Sequence, residues 1–135
     1  MSSARIERRV RFGDTDPFGV LYFAALLDYY KDSVDEWFRN VGEAPEKIYR
    51  NREERFGFPV VHVEADYMKP VRYDELVVLE CAVDSVGDKS VTFAVVARAG
   101  NEIASKGRLT FASISDDWKP IPLPERIANL VKKKK

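Results

Sequence analysis

The stretch that decides the fold is VRFGDTDPFGVLYFAALLDYYKDSVDEWFRNVG, residues 10–42. It predicts the end of a strand, a tight polar turn over 14–19, and a long amphipathic helix over about 20–41. Apolar residues recur there at steps of mostly three and four, which places them on one helical face: Phe23, Leu27, Tyr30, Val34, Trp37, Phe38 and Val41. Gly42 follows the last of them and provides the stop. So wide an apolar stripe must be covered by another element.

Five runs with strand character can supply that cover, and no second helix of comparable length follows. The runs are 5–12, 60–68, 75–86, 90–98 and 102–114. Short turns join the last three, so these strands are expected to be antiparallel neighbours. A short surface helix is predicted over 45–55, and another short helix over 125–131. The pattern predicts an α+β fold in which a five-stranded antiparallel sheet is wrapped around one long central helix.

Length and composition indicate one soluble globular domain over residues 1–135, with 116–135 as a C-terminal extension that ends in a basic tail. Lys+Arg and Asp+Glu number 22 each, so no overall positive charge favours a nucleic-acid partner. The sequence has neither a membrane-spanning apolar run nor an apolar segment near Met1, which predicts a cytoplasmic protein without a membrane partner. Its single cysteine, Cys81, is interpreted as a buried sheet residue rather than a nucleophile.

Two carboxylates, Asp14 and Asp16, lie in the turn before the helix, and three interpretations compete for them. A calcium loop would need an oxygen ligand and a glutamate where this chain has Phe18 and Ala25, so no metal site is predicted. A simple helix cap accounts for either aspartate without any catalytic role. The third interpretation is a general base or nucleophile beside the unpaired amides of a helix amino end. That arrangement is suited to hydrolysis of an activated acyl group, and Gly19 allows a ligand close to the main chain.

The segment RVRFGDTDPFGVLY, residues 9–22, resembles the signature of the hotdog-fold acyl-CoA thioesterases of the 4-hydroxybenzoyl-CoA thioesterase family. Less specific similarity continues at 58–65, 70–75 and 89–90, so the resemblance spans most of residues 8–115. It implies a hotdog fold and hydrolysis of an acyl- or aryl-CoA thioester to a free acid and CoA. Coenzyme A is then part of the substrate, and no separate cofactor is expected. The resemblance also implies a homodimer with active sites between protomers, and often a homotetramer.

Position by position, the resemblance assigns the catalytic carboxylate to Asp16 and polarisation of the thioester carbonyl to the backbone amide of Phe23. Gly19 would shape the approach of the substrate. Many relatives carry a histidine where Phe23 stands, so this chain has no proton role for that side chain. Tyr22 is predicted to bind substrate as part of an acyl pocket, although aromatic residues on this helix also have an interpretation as core.

The resemblance places Lys89 and Ser90 in the coenzyme A contact region. This chain departs from the pattern there, since Gly87 and Asp88 stand where some relatives carry two arginines. The nucleotide phosphates are therefore expected to be held differently. His62, the only histidine, is either a substrate-binding group on the second predicted strand or a buried core imidazole.

Three other functions remain open on the sequence alone. A hydratase or dehydratase would act on β-hydroxyacyl thioesters, but the sequence has no histidine-centred motif for that chemistry. A non-catalytic acyl-CoA-binding or regulatory module would bind the thioester without consuming it, and a structural oligomer would do neither. Product analysis separates them, because the outcomes are free thiol, an enoyl or hydroxyacyl product, or intact ligand.

Overall fold

The computed structural model describes residues 3–134, with side chains described to residue 132. In chain order the elements are β1 (Ser3–Arg9), α1 (Phe23–Asn40), α2 (Pro45–Tyr49), β2 (Arg50–Asn51), β3 (Phe56–Gly57), β4 (Val60–Tyr67), β5 (Leu76–Val86), β6 (Ser90–Ala99), β7 (Glu102–Ala112) and α3 (Glu125–Lys134). A 3₁₀ turn over Phe12–Asp14 precedes α1. No helix among the described residues is both long and apolar enough to cross a membrane.

The main sheet has five strands in the order β1-β5-β6-β7-β4, and every neighbouring pair is antiparallel. The predicted five-stranded antiparallel sheet is therefore confirmed, with β1 and β4 as its two edges. Strands β2 and β3 form a separate two-stranded ribbon.

Helix α1 packs against the inner face of this sheet, where it covers the centre of the core. Tyr30, Val34, Trp37 and Phe38 are buried, as the predicted stripe requires. The rings of Trp37 and Phe38 lie 5.3 and 5.7 Å, centroid to centroid, from that of Phe93 on β6. Each buried side chain of this size contributes about 1.5–3 kcal/mol, so the contact between helix and sheet makes a large contribution to stability.

The run predicted over 75–86 forms β5, whose residues alternate between the two faces of the sheet. Val77, Leu79, Cys81 and Val83 of β5 are buried, whereas the residues between them face the other side of the sheet. Burial raises the pKa of the Cys81 thiol to about 12. Cys81 is thus a core residue in the protonated form, as the sequence predicted.

The central helix begins later than the sequence predicted. It starts at Phe23 rather than near Val20, because residues 20–22 are extended and bonded to other segments. Phe23 was expected in the apolar stripe, but its side chain is 55% exposed at the helix start. Leu26 and Tyr29 are buried instead, which shows that the stripe is broader than the predicted set.

The predicted surface helix over 45–55 is largely wrong. Only Pro45–Tyr49 is helical, and the chain then forms the β2–β3 ribbon. The turn of that ribbon is fixed by Asn51, whose Oδ1 accepts the Glu54 N–H at 2.9 Å, and by Arg55 in a left-handed conformation, φ 60°. Ile48 is fully buried, so α2 also contributes to the core.

Helix α3 extends further than the predicted 125–131. Ile127 and Val131 are buried, and the helix packs against β5. Arg126 forms ion pairs with Glu43 at 3.2 Å and Glu54 at 3.3 Å, which attach α3 to the segment after α1. The predicted basic tail falls mostly on residues 133–135, whose side chains lie outside the described part of the chain.

Candidate active site at the amino end of the central helix

A small hairpin over residues 14–22 leads into α1. The Asp16 N–H donates to the Val20 carbonyl oxygen at 2.9 Å, and the Tyr22 N–H donates to the Asp14 carbonyl oxygen at 2.8 Å. At its tip Gly19 has φ +77°, a left-handed conformation that favours glycine. A further bond from the Leu21 N–H to the Val71 carbonyl oxygen, 2.6 Å, holds the hairpin against the segment before β5. These bonds keep residues 20–22 extended and delay the helix start to Phe23.

The first turn of α1 presents unpaired donors. Tyr22 occupies the N-cap position, but its side chain makes no capping hydrogen bond. The Leu26 N–H is the first to be bonded, to the Tyr22 carbonyl oxygen at 3.0 Å. The amides of Phe23, Ala24 and Ala25 have no acceptor among the described residues, and the first turn contains no acidic side chain. This end of the helix is therefore a site of positive potential that can stabilise an oxyanion.

The Asp16 carboxylate lies in the hairpin, and one of its two oxygens is hydrogen-bonded to backbone amides of that hairpin. Its Oδ1 accepts the Phe18 N–H at 2.9 Å and the Val20 N–H at 3.4 Å. Its Oδ2 has no hydrogen-bond partner in the part of the chain that the structure describes. Asp16 pairs with Val20, two residues before Tyr22, so it lies about 7 Å along the hairpin from the helix start.

Asp14 is bound quite differently. Its Oδ2 accepts the Tyr29 hydroxyl at 2.7 Å, and Arg11 adds its backbone N–H at 3.3 Å and its Nε at 3.4 Å. These contacts, with the Tyr29 hydroxyl first among them, hold the pKa of Asp14 below its usual value, while burial and the bond to Asp14 raise the pKa of Tyr29. Asp14 therefore serves to attach the hairpin to α1. Since Tyr22 is the N-cap, the interpretation of either aspartate as the cap of α1 is wrong.

A cavity of about 310 Å³ opens beside this hairpin, between the first turns of α1 and the inner face of the sheet. Most of its walls are apolar: Val20, Leu26, Val71, Val77, Ala97 and Ala104. Tyr67 of β4 also lines the cavity, and its hydroxyl donates to the Phe23 carbonyl oxygen at 3.5 Å. The cavity is of a size that suits a small ligand, and its lining includes Val20 and Leu21 of the hairpin that carries Asp16, and Leu26 near the start of α1.

The structure brings together four of the residues predicted for the site: Asp16, Gly19, Tyr22 and Phe23. It does not bring Lys89 and Ser90 to them within one chain. Those two residues lie at the turn between β5 and β6, and Ser90 is seven residues from Ala97 at the cavity. That separation is about 23 Å along a strand.

His62 also lies away from the cavity. It is on edge strand β4, five residues and about 17 Å from Tyr67. Its side chain is 60% exposed, and its Nε2 lies 3.4 Å from Glu64 Oε1. The alternative of a buried core imidazole is therefore wrong, and substrate binding by His62 stays a prediction.

Several cavity residues were missed at the sequence level, among them Leu26, Tyr67 and Ser105. Strand β7 carries an irregularity here, since Ala97 pairs with Ser105 but the next residue, Arg98, pairs with Ile103. As a result Ala104 and Ser105 are both buried, although they are consecutive. Strict alternation assigns only one of them to the core, so the pattern gave no signal for this part of the cavity.

Sequence comparison relates the chain to a known enzyme family. The sequence profile of the thioesterase-like superfamily matches residues 10–130. The chain is similar to a 1,4-dihydroxy-2-naphthoyl-CoA hydrolase of Synechococcus elongatus. The two are 27% identical over 128 residues, which cover 94% of this chain and 93% of the relative.

Solved structures share the fold. The DHNA-CoA thioesterase of Staphylococcus aureus superposes with a TM-score of 0.86 at 20% identity, covering 98% of this chain and 91% of that one. A mutant 4-hydroxybenzoyl CoA thioesterase complexed with 4-hydroxybenzoyl CoA gives a TM-score of 0.83 at 17% identity, with 96% and 98% coverage. The predicted hotdog fold is thus confirmed. Together with the profile match over nearly the whole chain, it leads to the conclusion that this chain belongs to the thioesterase-like superfamily.

Proposed function

We propose that this thioester hydrolase cleaves an acyl- or aryl-coenzyme A thioester at the amino end of α1, with Asp16 as base or nucleophile. One arrangement carries the proposal: Asp16, whose Oδ2 has no partner among the described residues, lies in the hairpin that leads directly to the unpaired amides of α1. Residues of that hairpin and of the start of α1 line an apolar cavity. The relative from Synechococcus elongatus is named as the hydrolase of a naphthoyl-CoA thioester, which supports a coenzyme A substrate.

In the general-base form of the reaction, Asp16 removes a proton from a water molecule whose oxygen attacks the thioester carbonyl carbon. The oxyanion that forms accepts the Phe23 N–H and is stabilised by the positive end of α1. The intermediate then expels the coenzyme A thiolate, which takes up the proton, and the free acid remains.

In the nucleophilic form, an Asp16 oxygen itself attacks the carbonyl carbon and the coenzyme A thiolate leaves. The product is a mixed anhydride, which water hydrolyses to regenerate the carboxylate and release the acid. Both forms use the same oxyanion site, so both require Asp16 and the first turn of α1.

The test compares thiol release by the wild type, Asp16→Asn and Asp14→Asn on aryl, short-chain and long-chain acyl-CoA esters. Asp16→Asn is expected to keep the loop conformation, since an asparagine side-chain oxygen can still accept the Phe18 and Val20 amides. Loss of a catalytic base lowers the rate by roughly 10²–10⁴, and that loss is expected in Asp16→Asn.

Asp14→Asn is the matched control, because it removes a neighbouring carboxylate that is bonded to Tyr29. It is expected to lose less activity than Asp16→Asn. If Asp14→Asn loses more activity than Asp16→Asn, the catalytic base is Asp14. Unchanged turnover in Asp16→Asn would refute the role proposed for Asp16. No turnover on any ester, with binding retained, would favour a non-catalytic acyl-CoA-binding protein in which Asp16 only fixes its loop.

We also propose that the active unit is a homodimer formed through β4, with a homotetramer as a further assembly. Seven of the eight residues of β4 are exposed, and three of these are valines: Val60, Val61 and Val63. An unpaired edge of this kind favours pairing with a second strand. A second copy would also allow Lys89, Ser90 and His62 to contribute to a site that they do not reach within one chain.

Light scattering of the wild type and of Val63→Asp tests this assembly. A buried aspartate without a partner is unfavourable at an interface, so the variant is expected to be monomeric or to dissociate at higher concentration. A monomeric wild type would contradict the proposal.

The proposed compartment is the cytoplasm. The one cysteine of the sequence is buried as a free thiol, as is usual for proteins of a reducing compartment. Cell fractionation with an antibody against the protein tests this location, and recovery in a membrane or extracellular fraction would contradict it.

A further inference from the structure

The mostly apolar lining of the cavity includes one buried serine, Ser105 of β7. Its hydroxyl is hydrogen-bonded to the hydroxyl of Tyr30 on α1. Both residues are buried, with 1% and 0% of their surface exposed. The pair is therefore shielded from solvent, and Ser105 is its member in the wall of the cavity.

The pair has hydrogen-bonding capacity to spare. Two hydroxyls carry two hydrogens, and the bond between them uses one. The second hydrogen has no acceptor among the described residues, since neither hydroxyl makes another hydrogen bond there. Burying a donor in this way is unfavourable unless a partner is supplied, and a ligand in the cavity can supply one.

A separate feature of the backbone directs Ser105 to this place. The irregular pairing between β6 and β7 lies at Ala97 and Ser105, and it makes Ala104 and Ser105 both buried. The Ala104 carbonyl oxygen accepts the N–H groups of Met68 and Lys69, at 2.8 and 3.2 Å. Irregularities of this kind commonly change the direction of a side chain near a functional site.

The dimensions of the cavity fit an aromatic acyl group. An apolar cavity of about 150 Å³ is enough to bind benzene, and this one has about 310 Å³. Phe23 and Tyr30 are two helical turns apart, about 10 Å along the axis, and the Tyr30 side chain leans back toward the helix start. Leu26, which lines the cavity, lies between them. A thioester whose carbonyl is at the Phe23 amide therefore directs its ring along Leu26 toward Ser105.

We propose that Ser105, held in place by Tyr30, is a specificity-determining residue that hydrogen-bonds a hydroxyl group on the far side of an aromatic acyl ring. Ser105 contacts the substrate, and Tyr30 is its positioning residue. The inference rests on the proposed function, because it takes the Phe23 amide as the place where the thioester carbonyl binds.

The experiment compares 4-hydroxybenzoyl-CoA with benzoyl-CoA, which differ only in the distal hydroxyl. The quantity measured is the ratio of kcat/KM for the hydroxylated ester to kcat/KM for the plain one. Ser105→Ala is expected to lower this ratio by roughly 3- to 10-fold, the effect of one neutral hydrogen bond. Tyr30→Phe is expected to lower the ratio in the same direction, because Ser105 loses its partner. A purely structural role for either residue would change both esters equally and leave the ratio where it was.

Thr110→Val is the matched control. Thr110 belongs to the same strand and also forms a hydroxyl pair, with Thr92 at 2.8 Å, but neither residue lines the cavity. This variant is expected to keep the wild-type ratio. Thermal unfolding of all variants verifies that they are folded before their kinetics are compared.

The equilibrium binding of the same two esters separates this inference from the proposed function. If the wild type hydrolyses both esters and Ser105→Ala keeps the wild-type ratio, the role of Ser105 is refuted and thioester hydrolysis stands. If no ester is hydrolysed, the proposed function is refuted, and the ratio of the two association constants decides on Ser105. A ratio that falls in Ser105→Ala supports the inference, and an unchanged ratio overturns it.

Discussion

Gly107 lies where the side chain of Tyr30 crosses β7, and replacing it with alanine tests that packing directly. A Cβ atom at this position would lie 2.5 Å from the Glu64 carbonyl oxygen and 2.9 Å from the Tyr30 hydroxyl, and it would also overlap the Tyr30 ring. The carbonyl belongs to β4, which is paired with β7 through residues on both sides of Gly107. Neither strand can move away without losing ladder bonds, so Tyr30 must shift.

The expected loss of stability can be worked out from the contacts that change when Tyr30 shifts. Overpacking of a close-packed core costs about 1–3 kcal/mol, and loss of the bond between Tyr30 and Ser105 adds about 1 kcal/mol. Replacing a strand glycine with alanine raises the free energy of unfolding by about 0.5–1 kcal/mol, because the unfolded chain then has less entropy. The net expectation for Gly107→Ala is a free energy of unfolding lower by about 1–3.5 kcal/mol. In a chain of this size that lowers Tm by roughly 3–17 °C.

Urea denaturation followed by circular dichroism measures this change, with Gly13→Ala as control. A Cβ at Gly13 would meet no heavy atom within 4 Å, and its backbone is not left-handed. The control is expected to stay within about 0.5 kcal/mol of the wild type. If Gly107→Ala has the same midpoint and slope as the wild type, the Tyr30 ring does not pack across Gly107 and the position of the hydroxyl pair is also wrong.

Three further changes have defined outcomes. Asp14→Asn is expected to lower the free energy of unfolding at pH 7 by about 1–2 kcal/mol through weaker bonding to Tyr29. Because the folded-state pKa of Asp14 is lowered from 3.8, this contribution is present above about pH 4 and is lost as pH falls through the lowered pKa, so urea midpoints of variant and wild type converge there. Tyr49→Phe removes a hydroxyl that donates to Asp35 at 2.6 Å, which should cost about 1 kcal/mol in the same assay. Cys81, whose pKa is raised by burial, should react with an aromatic disulfide reagent far more slowly in native than in denatured protein, as followed by absorbance.

The elements whose burial follows one regular period were the ones that the sequence predicted well. The stripe through Tyr30, Val34, Trp37 and Phe38 and the alternation along β5 both follow from one buried face, which a helix or strand repeats at a fixed spacing. Which strands form the two edges of the sheet could not be predicted in the same way. His62 lies in a run that resembles any half-buried strand, yet β4 is an edge whose residues are almost all exposed.

The errors arose where distant segments decide local structure. Helix propensity and apolar spacing extend α1 back to Val20, but the bond from Leu21 to Val71 pulls this segment into a hairpin. The helix predicted over 45–55 ends at Tyr49 because Arg50 and Asn51 pair with Phe56 and Gly57, and Gly57 is in turn bonded to the distant Ile114. In both cases a contact with a distant segment overrides a weak local preference.

The two aspartates of the hairpin show where sequence reasoning about the site reaches its limit. Asp14 and Asp16 have the same chemistry, and spacing alone made either of them a cap or a base. The structure separates them through their partners. The Asp14 carboxylate is bonded to Tyr29 on α1, whereas the Asp16 carboxylate is bonded, among the described residues, only to amides of its own loop. A carboxylate whose bonds are used in holding two elements together cannot take up a proton without loosening them. Asp16 keeps one oxygen without a partner among the described residues, and for that reason it is the aspartate that we propose as the base or nucleophile.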